Sequence, residues 1–121
     1  MQAKTAMKEE KMAIKGLSAL AYGKRLSVMR LLIKAGGEGL RAGQIARSLE
    51  VTPTTVSSQL AVLDNAGLVN SHRKRRSIVH TADCDALDEL LVFLIGASCH
   101  RRADLSKLVL GVARARGEQL W

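Results

Sequence analysis

The stretch VTPTTVSSQLAVLDNAGLV, Val51 to Val69, restricts the fold more than any other part of this 121-residue chain. Thr52 offers an N-cap hydroxyl, and Pro53 suits a first helical position, where its missing N–H is not needed. Val56, Leu60 and Leu63 then fall on one side of a helix. Asn65 to Gly67 ends it, and Gly67 can adopt the left-handed conformation of a helix cap. The opposite side is unusual. Thr54, Thr55, Ser57, Ser58 and Gln59 stand where an ordinary surface helix carries Glu, Lys and Ala, although Ser and Thr are weaker helix formers. That choice of side chains implies a face that touches something.

The neighbours of this helix say what. Arg41 to Leu49 places Ala42, Ile45, Ala46 and Leu49 on one short inward face, and Glu50-Val51-Thr52 makes a tight turn into the next helix. After Gly67 the period changes to that of strands, Leu68 to Arg73 and Ser77 to Ala82. They flank a basic tip, Lys74-Arg75-Arg76, which lacks the Asn-Gly or Gly of a two-residue turn, so a longer or looser loop is expected. Two short helices and a basic hairpin make a helix-turn-helix over 41–66 with a wing over 68–82. In such a motif the second helix lies in the major groove of duplex DNA with its N-terminal residues at base edges. Ser and Thr reach phosphates or base edges, and Gln can bond adenine through two atoms. Thr54, Thr55, Ser57, Ser58 and Gln59 are therefore the expected readers, with Arg73, Lys74, Arg75 and Arg76 on phosphates or in the minor groove.

Charge agrees with that partner. Nineteen Lys and Arg against eleven Asp and Glu leave +8, an excess that favours a polyanion. One Trp, one Tyr and one Phe are too few for the stacking platform of a single-strand binder. The longest strictly apolar run, Leu90 to Ile95, is too short to span a bilayer, so no membrane partner is expected. The N-terminal MQAKTAMKEEKMAIKGL carries charges where a signal peptide needs an apolar run. A cytoplasmic place follows, and two Cys make no disulfide framework. No phosphate loop, nucleophile triad or metalloprotease helix is present, so neither catalysis nor a cofactor is expected.

The flanking segments read as helices. Lys8 to Tyr22 carries Ile14, Leu17, Leu20 and Ala21 at helical spacing, and Gly23 breaks the pattern. Lys24 to Ala35 follows, with Leu26, Met29, Leu32 and Ile33 inward. Asp83 or Asp85 can cap a helix from about Ala86 to Arg101 whose centre, Leu90 to Ile95, is apolar all round. A small domain seldom covers such a helix alone, so a second subunit is expected over it. Leu105, Leu108, Val109 and Val112 mark a last short helix. The expectation is a mainly α single domain over 1–121: a dimer helix in 1–22, the helix-turn-helix, the wing, a second dimer helix in 84–102 and a C-terminal helix or tail in 103–121.

These stretches carry a family resemblance. LSALAYGKRLSVMRLL (Leu17–Leu32), GQIARSLEVTPTTVSSQLAVLDNAGLVNSHRKRR (Gly43–Arg76) and DELLVFLIGASC (Asp88–Cys99) resemble the ArsR-type, arsenical-resistance repressor-like, winged helix-turn-helix regulators. The resemblance implies a homodimer built on the first and last long helices, a palindromic operator and repression of nearby genes. It also exposes departures. The segment Leu40-Arg41-Ala42-Gly43-Gln44 lacks the Cys-x-Cys with which many members bind metal. Asp85, Asp88 and His100 do not reproduce the carboxylate and His spacing of others, and Cys99 stands with Ser98 where a third group has adjacent Cys residues. No metal site is expected. Cys99 reads as a small buried hydrophobe or as a thiol sensor beside Arg101 and Arg102. Cys84 begins the same helix, where the dipole favours a thiolate, and roughly 22 Å of helix separates the two. His72 and His80 read as phosphate contacts or exposed residues. The inducer is unidentified. The competing reading is a winged-helix protein-interaction module without an operator.

Overall fold

The computed structural model describes residues 3–96. Five helices and one hairpin follow in the order α1 (Ala3–Leu20), α2 (Gly23–Ala35), α3 (Ala42–Leu49), α4 (Pro53–Asn65), β1 (Val69–Lys74), β2 (Ser77–Ala82) and α5 (Cys84–Gly96), with a 3₁₀ turn, Gly36–Glu38, after α2. The core gathers where α2, α3 and α4 meet the base of the hairpin. Val28, Met29 and Leu32 of α2, Ile45 and Ala46 of α3, and Val56, Leu60 and Leu63 of α4 pack with Leu68 and Val69. Met29, Leu32, Ile45 and Leu63 are wholly enclosed. Burial of each such side chain contributes about 1.5–3 kcal/mol.

Local chemistry sets the helix-turn-helix. The Thr52 hydroxyl accepts from the Thr55 N–H at 3.2 Å, and Pro53 opens α4. Gln44 Oε1 accepts from the Arg41 N–H at 2.9 Å and closes the first turn of α3. Between the helices the chain reverses at Glu50, which is left-handed (φ 55), and the Val51 N–H returns to the Ala46 carbonyl at 3.1 Å. Gly67, at φ 79, releases the chain from α4 into β1.

The hairpin is antiparallel and in register from Val69↔Ala82 to Lys74↔Ser77. Its tip departs from the loose loop expected. Lys74 and Ser77 pair, leaving only Arg75 and Arg76 to turn the chain. Arg75 takes φ 58, and Arg76 does not share that sign. A positive φ at the first central position alone is the pattern of a II′ turn, whose twist matches that of the strands. The ladder thus overrides the side-chain preference at the tip. At its base the hairpin is tied to the segment before α3 by the Leu40 N–H on the His80 carbonyl (2.9 Å) and the His80 N–H on the Leu40 carbonyl (2.8 Å). Gly39 makes this approach possible: at φ 66 any Cβ would run into the His80 carbonyl.

Asp83, not Asp85, caps α5, accepting from the Ala86 N–H at 3.0 Å while its own N–H bonds the Leu68 carbonyl at 2.9 Å. Helix α1 packs on its own chain through its small residues. Ala13, Gly16 and Ala19 are buried, whereas Ile14 is 55% and Leu17 40% exposed. Small residues let α1 approach α5 closely; a Cβ on Gly16 would stand 3.5 Å from Leu90 Cδ2. On α2, Met29 and Leu32 are buried as expected and Val28 joins them, whereas Leu26 is exposed. Leu90 is buried in α5, but Leu91, Val92 and Leu94 are exposed, so one chain covers only part of that all-apolar helix. The expected continuation to Arg101, the C-terminal helix, Cys99 and His100 lie outside the described residues.

Candidate nucleic-acid interface

Capping and core packing fix which side of α4 looks outward. Thr54, Ser57, Ser58 and Ala61 are exposed and follow the spacing i, i+3, i+4, i+7 of one helical stripe. The three hydroxyls among them make no hydrogen bond to other described residues, so each is open to both donate and accept. Thr55 and Gln59, read with them from sequence, sit instead on the flank toward α2. The Thr55 hydroxyl lies 2.8 Å from that of Thr52, within the cap. Gln59 is half-buried, and its Oε1 accepts from Arg25 Nη1 at 3.1 Å. A cleft of about 160 Å³ on this flank is lined by Lys24, Ser27, Thr55 and Gln59.

The opposite flank faces the wing across an open groove of about 560 Å³, whose lining includes Ser57, Ala61, Asp64, Ser71, Arg76 and His80. Arg41 also lines it and is exposed. Sequence reasoning did not select Arg41; the signal available was its place immediately before α3, which the hairpin register brings opposite the wing. Facing pairs of an antiparallel ladder share a side, so Arg73 and Ile78 lie on the same side as Ser71 and His80. Lys74 lies on the other side, with His72 and Val79, and Arg75 forms the tip. All four basic wing residues are exposed.

His80 is not simply exposed. It is half-buried, and its Nδ1 lies 2.8 Å from the Ser71 hydroxyl. Burial lowers its pKa below the usual imidazole value; Asp64 opposes that shift, and His72 adds to it. Burial thus disfavours the imidazolium, and the charged residues lining the groove are Arg41, Arg76 and Asp64.

Cys84 corrects an expectation about thiolate character. Burial, followed by the carboxylates of Asp88, Asp83 and Asp85, raises its pKa. These effects oppose the helix dipole and keep the thiol protonated. Among the described residues, no three His, Cys, Asp or Glu side chains gather in a way that could hold a metal ion.

Comparison with known proteins places this geometry. Residues 23–71, from the start of α2 to the third residue of β1, match the family described as bacterial regulatory protein, arsR family. The HTH-type transcriptional regulator YgaV of Escherichia coli K12 is 26% identical over 83 residues, which is 69% of this chain and 82% of YgaV. Reduced HlyU from Vibrio cholerae superposes with a TM-score of 0.58 at 26% identity, over 78% of this chain and 99% of that one. The homodimeric winged helix-turn-helix DNA-binding domain of Mb0332 from Mycobacterium bovis superposes with a TM-score of 0.63 at 20% identity, over 98% and 94% of the two chains. That last likeness establishes the fold.

Proposed function

We propose that this chain, which belongs to the arsR family of bacterial regulatory proteins and is thereby a DNA-binding transcription regulator, acts as a homodimeric repressor on a palindromic operator. The observation that carries the proposal is the exposed, unpartnered hydroxyl stripe of α4 beside a groove whose far wall is the basic wing. In this reading the N-terminal half of α4 enters the major groove. Thr54, Ser57 and Ser58 meet base edges, and Thr55 and Gln59 contact the DNA along the α2 flank. Arg73, Lys74, Arg75, Arg76 and Arg41 hold phosphates, with one of the wing arginines able to enter the minor groove.

The dimer is the second half of the proposal. Ile14 and Leu17 of α1 and Leu91, Val92 and Leu94 of α5 expose apolar surface that a second copy would cover. Mb0332 is a homodimer of the same fold. A two-fold axis through these helices gives two α4 helices and an operator with half-sites about 34 Å apart. Repression then follows by occlusion: a dimer seated across a promoter excludes the polymerase. Among the described residues no helix is long and apolar enough to cross a membrane, and a DNA partner supports a cytoplasmic location.

Selection of duplexes from a random pool, followed by footprinting, tests the reading. An enriched inverted repeat protected over both halves is expected. A pool that enriches nothing, or binding that ignores salt, overturns it.

A further inference from the structure

We infer that Arg25 is a positioning residue for the DNA-reading helix: by holding Oε1 of Gln59 it turns the carboxamide NH₂ outward and makes Gln59 a hydrogen-bond donor to an acceptor atom of the DNA. The inference rests on the operator reading above and sharpens it. Arg25 lies 34 positions before Gln59, on α2, and is itself fixed at two further points. Its Nε donates to the Ala19 carbonyl near the end of α1 at 2.6 Å. Its guanidinium carbon stands 4.9 Å from the centroid of the Tyr22 ring, a cation–π contact. One planar fork therefore ties α1, α2 and α4 together.

The chemistry of the pair decides which way the amide faces. A guanidinium carries five N–H donors and no acceptor. Gln59 can satisfy it only through oxygen, so the usual ambiguity of an amide's orientation is removed here. The described residues offer its NH₂ group no acceptor. A free glutamine reads adenine by accepting and donating at once. Gln59, with its oxygen drawn back against Arg25, presents its NH₂ donors outward. Its partner is then a major-groove acceptor (guanine O6 or N7, adenine N7 or thymine O4) or a phosphate oxygen. Bidentate reading of adenine, which the residue type alone suggests, is replaced by a donor of fixed polarity. Lysine at position 25 would supply charge and donors but not the flat fork that reaches two acceptors in one geometry.

The test uses the full chain and duplexes selected from a random pool. Wild type, Gln59→Ala, Arg25→Gln and the double variant are compared for base preference and for affinity at constant salt. Gln59→Ala leaves Arg25 and its other contacts in place. It is expected either to relax one operator position that prefers guanine or thymine, or to weaken all duplexes about equally, by about ten-fold. The first outcome identifies a base acceptor and the second a phosphate. Arg25→Gln frees the Gln59 oxygen, and its effect is expected only while Gln59 is present: the preference at that position shifts from guanine toward adenine, or the uniform affinity falls. In the double variant Arg25→Gln should add nothing to Gln59→Ala. Arg25→Lys, which retains a charged donor, should preserve the choice of base at reduced affinity.

A relaxed position that prefers adenine to guanine overturns the inference, since that choice needs an acceptor for adenine N6–H, as does a Gln59→Ala protein indistinguishable from wild type. Equal effects of Arg25→Gln with and without Gln59 overturn it too, since a merely structural arginine behaves that way. Gln59→Ala alone decides the matter if the Arg25 variants melt below the assay temperature. A wild-type chain that enriches no duplex defeats the operator reading, and this one with it; specific binding that ignores Gln59 defeats this one alone.

Discussion

Helices α4 and α1 dispose of their apolar residues in opposite ways. The first buries Val56, Leu60 and Leu63 and exposes Thr54, Ser57 and Ser58. The second buries Ala13, Gly16 and Ala19 and exposes Met12, Ile14 and Leu17. A surface helix gains most by burying its largest apolar side chains, so α4 is finished by its own chain and α1 is not. Both spend their outer faces on something unusual for solvent: short hydroxyls on α4, large aliphatics on α1. The polar face suits a hydrated, hydrogen-bonding partner. The apolar face, continued on α5 by Leu91, Val92 and Leu94, suits a partner as apolar as itself. Folding and assembly are thus assigned to different elements, and mutations in the two should fail differently.

The largest effects test that separation. Leu63→Ala empties a fully enclosed site in the shared core and should cost 2–5 kcal/mol (~3 typical) of protomer stability. Denaturant unfolding followed by circular dichroism measures it. Val92→Asp acts elsewhere. Val92 is 65% exposed in the single chain, so the protomer should stay folded. In a dimer the new carboxylate would be buried without a partner, at a cost of several kcal/mol. Sedimentation at micromolar concentration should show a folded monomer for Val92→Asp and a dimer for wild type. A wild-type monomer, or a variant dimer, would erase the contrast between the helices.

Binding separates a second pair of surfaces, the stripe of α4 and the wing. Eight phosphates neutralised by a dimer give log K a slope of about −7 against log salt. Arg73→Ala or Arg76→Ala removes a contact from each half-site, so the slope should flatten by about 2 and all sequences weaken alike. Ser57→Ala and Ser58→Ala should leave the slope in place. They should relax base preference instead, at about 1–3 kcal/mol where a base contact is lost. Fluorescence anisotropy on cognate and scrambled duplexes at several salt concentrations distinguishes the patterns. Identical behaviour of the two sets would merge the surfaces that the geometry separates.

Sequence legibility follows the same division. The ends and the buried side of α4 were readable because capping and periodicity act within a few residues: Thr52, Pro53, Val56, Leu60 and Leu63 all stand as expected. The side of α1 that packs on its own chain was not, because its large residues, expected at a dimer contact, set the visible period. Gly16 and Ala19 make the close packing there, and small residues leave a weak periodic signal. Capping of α5 by Asp83 was one of two readable options, and the tertiary bond of its N–H to Leu68 decides between them. The polar row of α4 was legible as a set but not in its division. Thr55 joins the cap, and Gln59 turns to Arg25, a partner remote in sequence. Arg41 enters the wing groove only through the three-dimensional placement of the hairpin.

A smaller effect probes the start of α4. Thr52→Ala deletes the hydroxyl that accepts from Thr55 and should cost about 1 kcal/mol. Thermal melting should register it as a modest fall in Tm. An unchanged Tm would mean that Pro53 and the core alone hold the first turn.

The smallest effect lies at the wing tip, where local preference and ladder register disagree. Arg75 is held at φ 58, a conformation that costs an L-residue roughly 1–2 kcal/mol and glycine almost nothing. Glycine returns part of that gain, since it loses more backbone entropy on folding, about 0.5–1 kcal/mol. The difference leaves Arg75→Gly stabilising by roughly 0.5–1 kcal/mol, although the side chain is exposed and no packing is added. The same substitution removes a cation from each wing, so operator affinity should fall while the melting temperature rises. Opposed movement of the two quantities is the expected signature of a residue kept for its charge against its backbone preference. A fall in both would mean that the Arg75 side chain stabilises the turn itself, and a rise in Tm at unchanged affinity that the tip does not touch the DNA.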